Sequence, residues 1–231
     1  MRVGMAGLNG LYWPVAIGNG LFNRPGIDFL AAATLGESAA AIAANLGLSP
    51  EEYAARFGLR LYDQPEEMIQ AEKLDTVVIV SRHSQHADWV ERLAHLGVNI
   101  FLPKTFATNL AEADRIVRGQ KEHAIQIAVG PSARFLPQMM AVKSAIDADL
   151  IGEPFSARIC HHHGTIDVFK NSDWYRDPLE GGPELSLGWY GIDLAQVLLG
   201  DLVKTVSASY GNFTTSDSPF MDCGRLVMGM R

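Results

Sequence analysis

Short apolar runs alternate with helical segments from Met1 to Val129, and this rhythm constrains the fold more than any other feature of the chain. The runs Met1–Ala6, Phe29–Thr34, Thr76–Val80, Val98–Leu102 and Ile125–Val129 have the length and apolar content of buried strands. Gly7, Asn9 and Gly10 break the first run before an apolar stretch resumes at Tyr12. The alanine-rich segment Ser38–Leu46 reads as a helix stopped by Gly47. Ser49, Pro50, Glu51 and Glu52 supply a cap, a first-turn proline and dipole-matching acids for a helix running to Phe57. Further helices are predicted over Gln64–Ala71, Ser84–His95 and Asn109–His123. Strands separated by helices of this size pair in parallel through right-handed crossovers. Residues 1–130 are therefore predicted to form a doubly wound parallel α/β domain of Rossmann type.

After Gly130 the rhythm changes. A helix is predicted over Leu136–Ile146 and a strand over Pro154–His162, followed by an irregular polar stretch to Glu180. A helix over Pro183–Leu199 ends at Gly200, and Lys204–Tyr210 and Gly224–Met230 read as strands. Residues 131–231 are thus predicted to be an α+β domain with an open, mainly antiparallel sheet. Its last strand run stops one residue short of Arg231, so the sheet reads as incomplete and a C-terminal truncation is expected. Hydrophobic residues at 48% against 19% charged suit a packed core. The formal charge of -7, from 26 acidic and 19 basic residues, argues against a nucleic-acid partner. Cys160 and Cys223 are too few for a disulfide scaffold and lack zinc-site spacing, which points to a reducing cytoplasm. No apolar run nears the roughly 18 residues a membrane span needs, and glycines and Asn9 interrupt the one leader-like stretch, at the N-terminus.

Three loops at the carboxyl ends of predicted strands carry chemistry. Gly7-Leu8-Asn9-Gly10-Leu11-Tyr12 stands where a dinucleotide pyrophosphate rests on a helix N-terminus. A G-x-G-x-x-G spacing would want glycine at Asn9 and Tyr12. Asn9 tolerates positive φ, whereas Tyr12 is expected to crowd the helix–strand contact. The six residues alone fit a plain glycine-rich turn equally well. Leu35 stands where a ribose-binding carboxylate is usual; Glu37 is near enough to substitute, and no arginine stands there for a 2′-phosphate, which leans towards NAD over NADP. In the second loop, Ser81-Arg82-His83-Ser84-Gln85-His86 is placed to touch a ligand. It also fits a helix N-terminus capped by Ser81 or Ser84 with both histidines solvated. In the third, Lys104 follows a strand, where desolvation would lower its pKa and suit it to handle a hydroxyl proton; the alternative is an ordinary surface lysine. His161, His162 and His163 alternate faces along a predicted strand, so no metal site is expected; they read as substrate-facing groups or as plain strand-end histidines.

Order and spacing resemble the glucose–fructose oxidoreductase, inositol dehydrogenase and MocA-like (Gfo/Idh/MocA) family over essentially the whole chain. Pro103-Lys104-Thr105 occupies the place of the family's Glu-Lys-Pro triplet, with the lysine kept. The Ser81 to His86 segment is similar to its Thr-Pro-x-x-x-His. Arg134-Phe135-Leu136-Pro137 and Ile151-Gly152-Glu153-Pro154 look like the entry into its second domain. Against the family's Asp-x-Gly-x-His-x-x-Asp helix, Ser186, Gly188, Tyr190 and Asp193 stand in register; Ser186 replaces the first aspartate and Tyr190 the histidine, a tyrosine that some sugar-oxidising members also carry.

The resemblance implies a nicotinamide cofactor, NAD or NADP, held by Gly7, Asn9, Gly10, Leu11, Leu35, Glu37, Ser81, Arg82, His83, His86 and Lys104. It implies hydride transfer to or from a hydroxyl-bearing carbon of a sugar or polyol. Lys104, Tyr190 and Asp193 would act as the catalytic set, with Tyr190 and Lys104 handling the hydroxyl proton. His161, His163, Trp174 and Arg176 would bind substrate beside Tyr190 and Asp193. A homo-oligomer paired through the second domain's sheet is implied too. Two rivals fit the same residues: a relative that binds cofactor or metabolite without catalysis, and an NAD-dependent lyase or hydrolase that oxidises its substrate transiently.

Overall fold

The computed structural model describes residues 1–130, 133–162, 173–214 and 219–230. The chain divides into two compact units, Met1–Gly130 and Pro131–Arg231. In the first, six parallel strands form one sheet: β1 (Arg2–Ala6), β2 (Asp28–Ala33), β3 (Arg60–Tyr62), β4 (Thr76–Ile79), β5 (Asn99–Pro103) and β6 (Ile127–Gly130). Their order is β3-β2-β1-β4-β5-β6, so the direction of winding reverses between β1 and β4. In open α/β sheets the crevice outside the carboxyl ends at such a reversal is where ligands bind. The crossovers carry α1 (Trp13–Leu21), α2 (Ala39–Leu46), α3 (Pro50–Phe57), α4 (Pro65–Glu72), α5 (His86–Ala94) and α6 (Leu110–Glu122).

Successive strand residues feed opposite faces of the sheet. Ala33, Val77, Ile79, Ile100 and Leu102 join Trp89, Val90, Leu93 and Ile116 in one buried cluster. Val3, Met5, Ala32, Val78 and Val80 join Ile42, Tyr53 and Phe57 in the other. The cap read from Ser49 forms as a full capping box with Glu52, and Gly58 closes α3 in the left-handed conformation. β3 was not foreseen in the sequence. It has three residues, starts with Arg60, and is fixed by Glu72, which is buried and takes hydrogen bonds from Arg60 and from the Tyr62 hydroxyl.

The second unit holds α7 (Pro137–Asp147), one helical turn at Asp173–Arg176, α8 (Gly182–Leu199), and the antiparallel pair β7 (Thr205–Gly211) and β8 (Cys223–Gly229). The strand predicted over Pro154–His162 is absent: the segment carries no regular secondary structure and joins no ladder. Among the described residues the unit's only strands, β7 and β8, pair with each other, and Phe155 stands 98% exposed. Among the described residues no helix is long and apolar enough to cross a membrane.

Helix α1 approaches α3 at a glycine. A Cβ on Gly18 would lie 2.8 Å from the Tyr53 hydroxyl and 2.9 Å from the Phe57 ring, whereas one on Gly20 would meet nothing within 4 Å. Gly18→Ala is therefore expected to cost about 1–3 kcal/mol through overpacking, while Gly20→Ala gains about 0.5–1 kcal/mol of helix propensity. Urea denaturation of both variants checks the opposite signs.

Candidate active site

The first turn leaves β1 through a contact that only glycine permits. Gly7 has φ +104°, and a Cβ there would lie 2.0 Å from the Val80 carbonyl oxygen at the end of β4. Gly10 presses on the same residue: its Cβ would lie 2.4 Å from Val80 Cγ1. Asn9, which tolerates a positive φ, does not adopt one; Leu11 does, at φ 55°. Nor does Tyr12 crowd the helix–strand contact. It is 52% exposed and stacks on Trp13 at 5.0 Å, because the tight contact is made one turn earlier, by the two glycines. Helix α1 starts with no side-chain cap and no acidic residue in its first turn; Trp13 N–H is taken by the Gly10 carbonyl at 3.0 Å and Pro14 has none, so the Val15 amide is the one this turn offers to an anion.

At the end of β2, Leu35 is also left-handed, at φ 62°. This bend is followed two residues later by Glu37. One of its oxygens, Oε2, is buried with no hydrogen-bond partner among the described residues. Burial raises the Glu37 carboxyl above its usual range, opposed by a side-chain hydrogen bond from Asn9 and by the charge of Arg82. The sequence shows no arginine at this strand end. The fold supplies one all the same, bringing Arg82 from the loop after β4 within electrostatic reach of Glu37.

That loop corrects a second expectation. His83 and His86 are not solvated; they are 5% and 1% exposed, and α5 begins at His86 without a side-chain cap. Their rings meet edge to face at 5.9 Å. His86 Nδ1 lies 3.2 Å from the Phe106 carbonyl oxygen, and burial lowers its pKa, which keeps the ring neutral. The geometry makes His86 a tie between the loops after β4 and β5. Ser81 is buried and its hydroxyl turns back onto the Arg82 carbonyl at 3.2 Å.

The second of these loops carries Lys104, which is 4% exposed, with Nζ 5.7 Å from the centre of the Trp13 ring. The peptide bond between Lys104 and Thr105 is cis. Desolvation lowers the ammonium to about 8, close enough to neutrality for it to give or take a proton. It is therefore no ordinary surface lysine.

In the second unit, Ser186, Tyr190 and Asp193 are spaced i, i+4, i+7 along α8 and share a face. Ser186 and Asp193 are buried. Tyr190 meets His161 edge to face at 5.2 Å and Trp189 at 5.5 Å. His161 and Tyr190 are thus brought together as the sequence expects. His163 lies outside the described residues. Trp174 and Arg176 fall in the single turn before Gly181 and are half-buried. Two participants are missed in the sequence. Arg134 grips Asp193 with both Nε and a terminal nitrogen, the Nε contact at 3.0 Å, so Asp193 is already paired. The second is Trp189, whose buried Nε1–H has no acceptor among the described residues. The Arg-Phe-Leu-Pro motif pointed to Arg134 only as a domain entry. Among the described residues no group of three or more histidine, cysteine or acidic side chains is placed to hold a metal.

Residues 14–131 match the oxidoreductase family with an NAD-binding Rossmann fold, GFO_IDH_MocA, and residues 139–230 match the GFO/IDH/MocA C-terminal domain. The chain is 32% identical over 154 residues to a D-apiose dehydrogenase of Paraburkholderia graminis, covering 66% of this chain and 40% of that one. It is 28% identical over 176 residues to a scyllo-inositol 2-dehydrogenase (NAD(+)) of Bacillus subtilis, covering 74% and 48%. It thus spans less than half the length of either. A solved oxidoreductase from Agrobacterium radiobacter, in complex with NAD+, L-tartaric acid and magnesium, superposes with a TM-score of 0.79 at 21% identity, over 99% of this chain and 62% of that one.

Asp193 is nearly buried, so removing its partner leaves a charge poorly solvated. Arg134→Ala is expected to destabilise the second unit by about 1–3 kcal/mol, and adding Asp193→Asn to recover most of that loss. A double-mutant cycle by chemical denaturation reads the coupling directly.

Proposed function

Because the chain belongs to the Gfo/Idh/MocA oxidoreductase family, we propose that it is a nicotinamide-dependent dehydrogenase of a sugar, polyol or similar hydroxy compound. The observation that carries this reading is Lys104: a buried lysine at the carboxyl end of β5, with its pKa lowered to about 8, suits proton transfer. The named activities of the apiose and inositol dehydrogenase relatives support the substrate class.

The residues present fit a dinucleotide. The open amide end of α1 suits its pyrophosphate, and the unpaired Glu37 Oε2 suits a ribose hydroxyl. Glu37 also supports NAD over NADP, because a carboxylate repels a 2′-phosphate, although Arg82 stands close by. When bound, the nicotinamide supplies a hydride acceptor or donor.

The chain's own residues do the rest. His86 fixes the loop that holds Lys104. Lys104 in its neutral form accepts a proton, and Tyr190, a phenol beside His161, is the second proton-handling group. Asp193, held by Arg134, orients the helix face that carries Tyr190, while Trp174 and Arg176 offer an aromatic face and a cation to a polar substrate. Association through the β7–β8 hairpin belongs to the same reading, since Val206, Tyr210 and Val227 are exposed on it. A solution mass at twice the 25.2 kDa chain or more, by light scattering, is the expected result.

Titration with NADH and NADPH, followed by tryptophan quenching, tests the reading first. Saturable binding, tighter for NADH, is expected; no binding by folded protein sinks it. In the oxidation direction, kcat/KM on a responsive sugar or polyol should rise as pH increases through about 8, as Lys104 loses its proton. In Lys104→Met that limb should vanish and the rate fall by about 10²–10⁴.

A further inference from the structure

Asn45, in the last turn of α2, has no part in any motif of the chain, yet its side chain reaches the dinucleotide turn. Its Nδ2 donates to Asn9 Oδ1 at 2.5 Å. A primary amide has one oxygen and one NH2 group on opposite sides. With its oxygen taken by Asn45, Asn9 must present its NH2 to whatever lies on the other side, and it donates to the Glu37 carboxylate. Glu37 keeps its second oxygen, Oε2, buried and without a donor. A buried carboxylate oxygen left in that state is costly until a donor arrives.

We propose that Asn45 is a positioning residue for cofactor choice: by fixing the polarity of the Asn9 amide, it turns Glu37 into an acceptor for the free diol of the adenosine ribose. The proposal rests on the dinucleotide reading above. A ribose diol brings two O–H donors to Oε2, whereas a 2′-phosphate brings only acceptor oxygens and negative charge. Arg82 lies within reach of the same carboxylate and would favour the phosphate if Glu37 were turned away. Asn45 thus holds the balance between an acid and a base that the fold sets side by side. It does so from α2, outside the turn.

Asn45→Asp tests this with almost no change of shape. An aspartate can only accept, so the Asn9 amide must flip and direct its oxygen at Glu37. Dissociation constants for NADH, 2′-deoxy-NADH, NADPH and reduced nicotinamide mononucleotide are measured by fluorescence on the whole chain. The wild type is expected to favour NADH over both 2′-altered dinucleotides by about tenfold. In Asn45→Asp both ratios should fall by about three- to tenfold, with a smaller fall in Asn45→Ala, which removes the donor without flipping the amide. Binding of the mononucleotide, which lacks the adenosine half, should not change. Unchanged ratios with NADH binding intact overturn the proposal and leave the dinucleotide reading standing. Equal losses for all four ligands mean a merely structural role and overturn it too. A folded wild type that binds none of them overturns both readings. If Asn45→Asp fails to fold, the ratios in Asn45→Ala decide alone.

Discussion

The first unit depends on how closely the chain can pass between its two central strands. β1 and β4 are neighbours, and each must hand its chain to a different crossover at the same level of the sheet. The ladder is carried past the last strand residues by Val80 N–H donating to the Ala6 carbonyl at 2.7 Å and Gly7 N–H to the Ala33 carbonyl at 2.9 Å. With both bonds made, the Val80 carbonyl occupies the space where any side chain at position 7 would begin. The glycine therefore leaves room for the sheet itself to close at its switch point. The open end of α1, the bend at Leu35 and the loop bearing Arg82 are all placed by that closure.

Much of this could be read from residue order. The five longer strands of the first unit are apolar runs bounded by turn residues, and the central pair, β1 and β4, is unambiguous because it is buried on both faces. Position along such strands also singled out Lys104, since a polar group at a strand's carboxyl end faces the crevice. What could not be read were contacts between residues remote in sequence. Arg82 meets the field of Glu37 across 45 positions, and the Arg134–Asp193 pair spans 59. No local pattern encodes either. The two histidines illustrate the same limit: spacing places them at a helix start, but only packing decides that both are buried and that His86 stays neutral.

The second unit shows where sequence periodicity misleads. Pro154–His162 has the composition of a strand, but a strand is defined by its partner, and composition does not supply one. Helix α8 shows the reverse. Its Gly-rich and aromatic sequence is weakly amphipathic, yet the helix runs unbroken for 18 residues from Gly182 to a left-handed Gly200, which allows Ser186, Tyr190 and Asp193 to share a face. Register along a helix survives substitution of the residues it displays.

The nearness of Lys104 to Trp13 has an optical side. An indole's emission responds to the electric field across its ring, and a cation over the ring face is a strong local source of that field. When Lys104 gives up its proton the source disappears, while the ring keeps its place at the start of α1. The other tryptophan of the first unit, Trp89, is buried in α5 under the Arg92 guanidinium and senses a cation that stays charged. The first unit thus carries one indole that reads the state of its buried lysine and a second that serves as an internal reference.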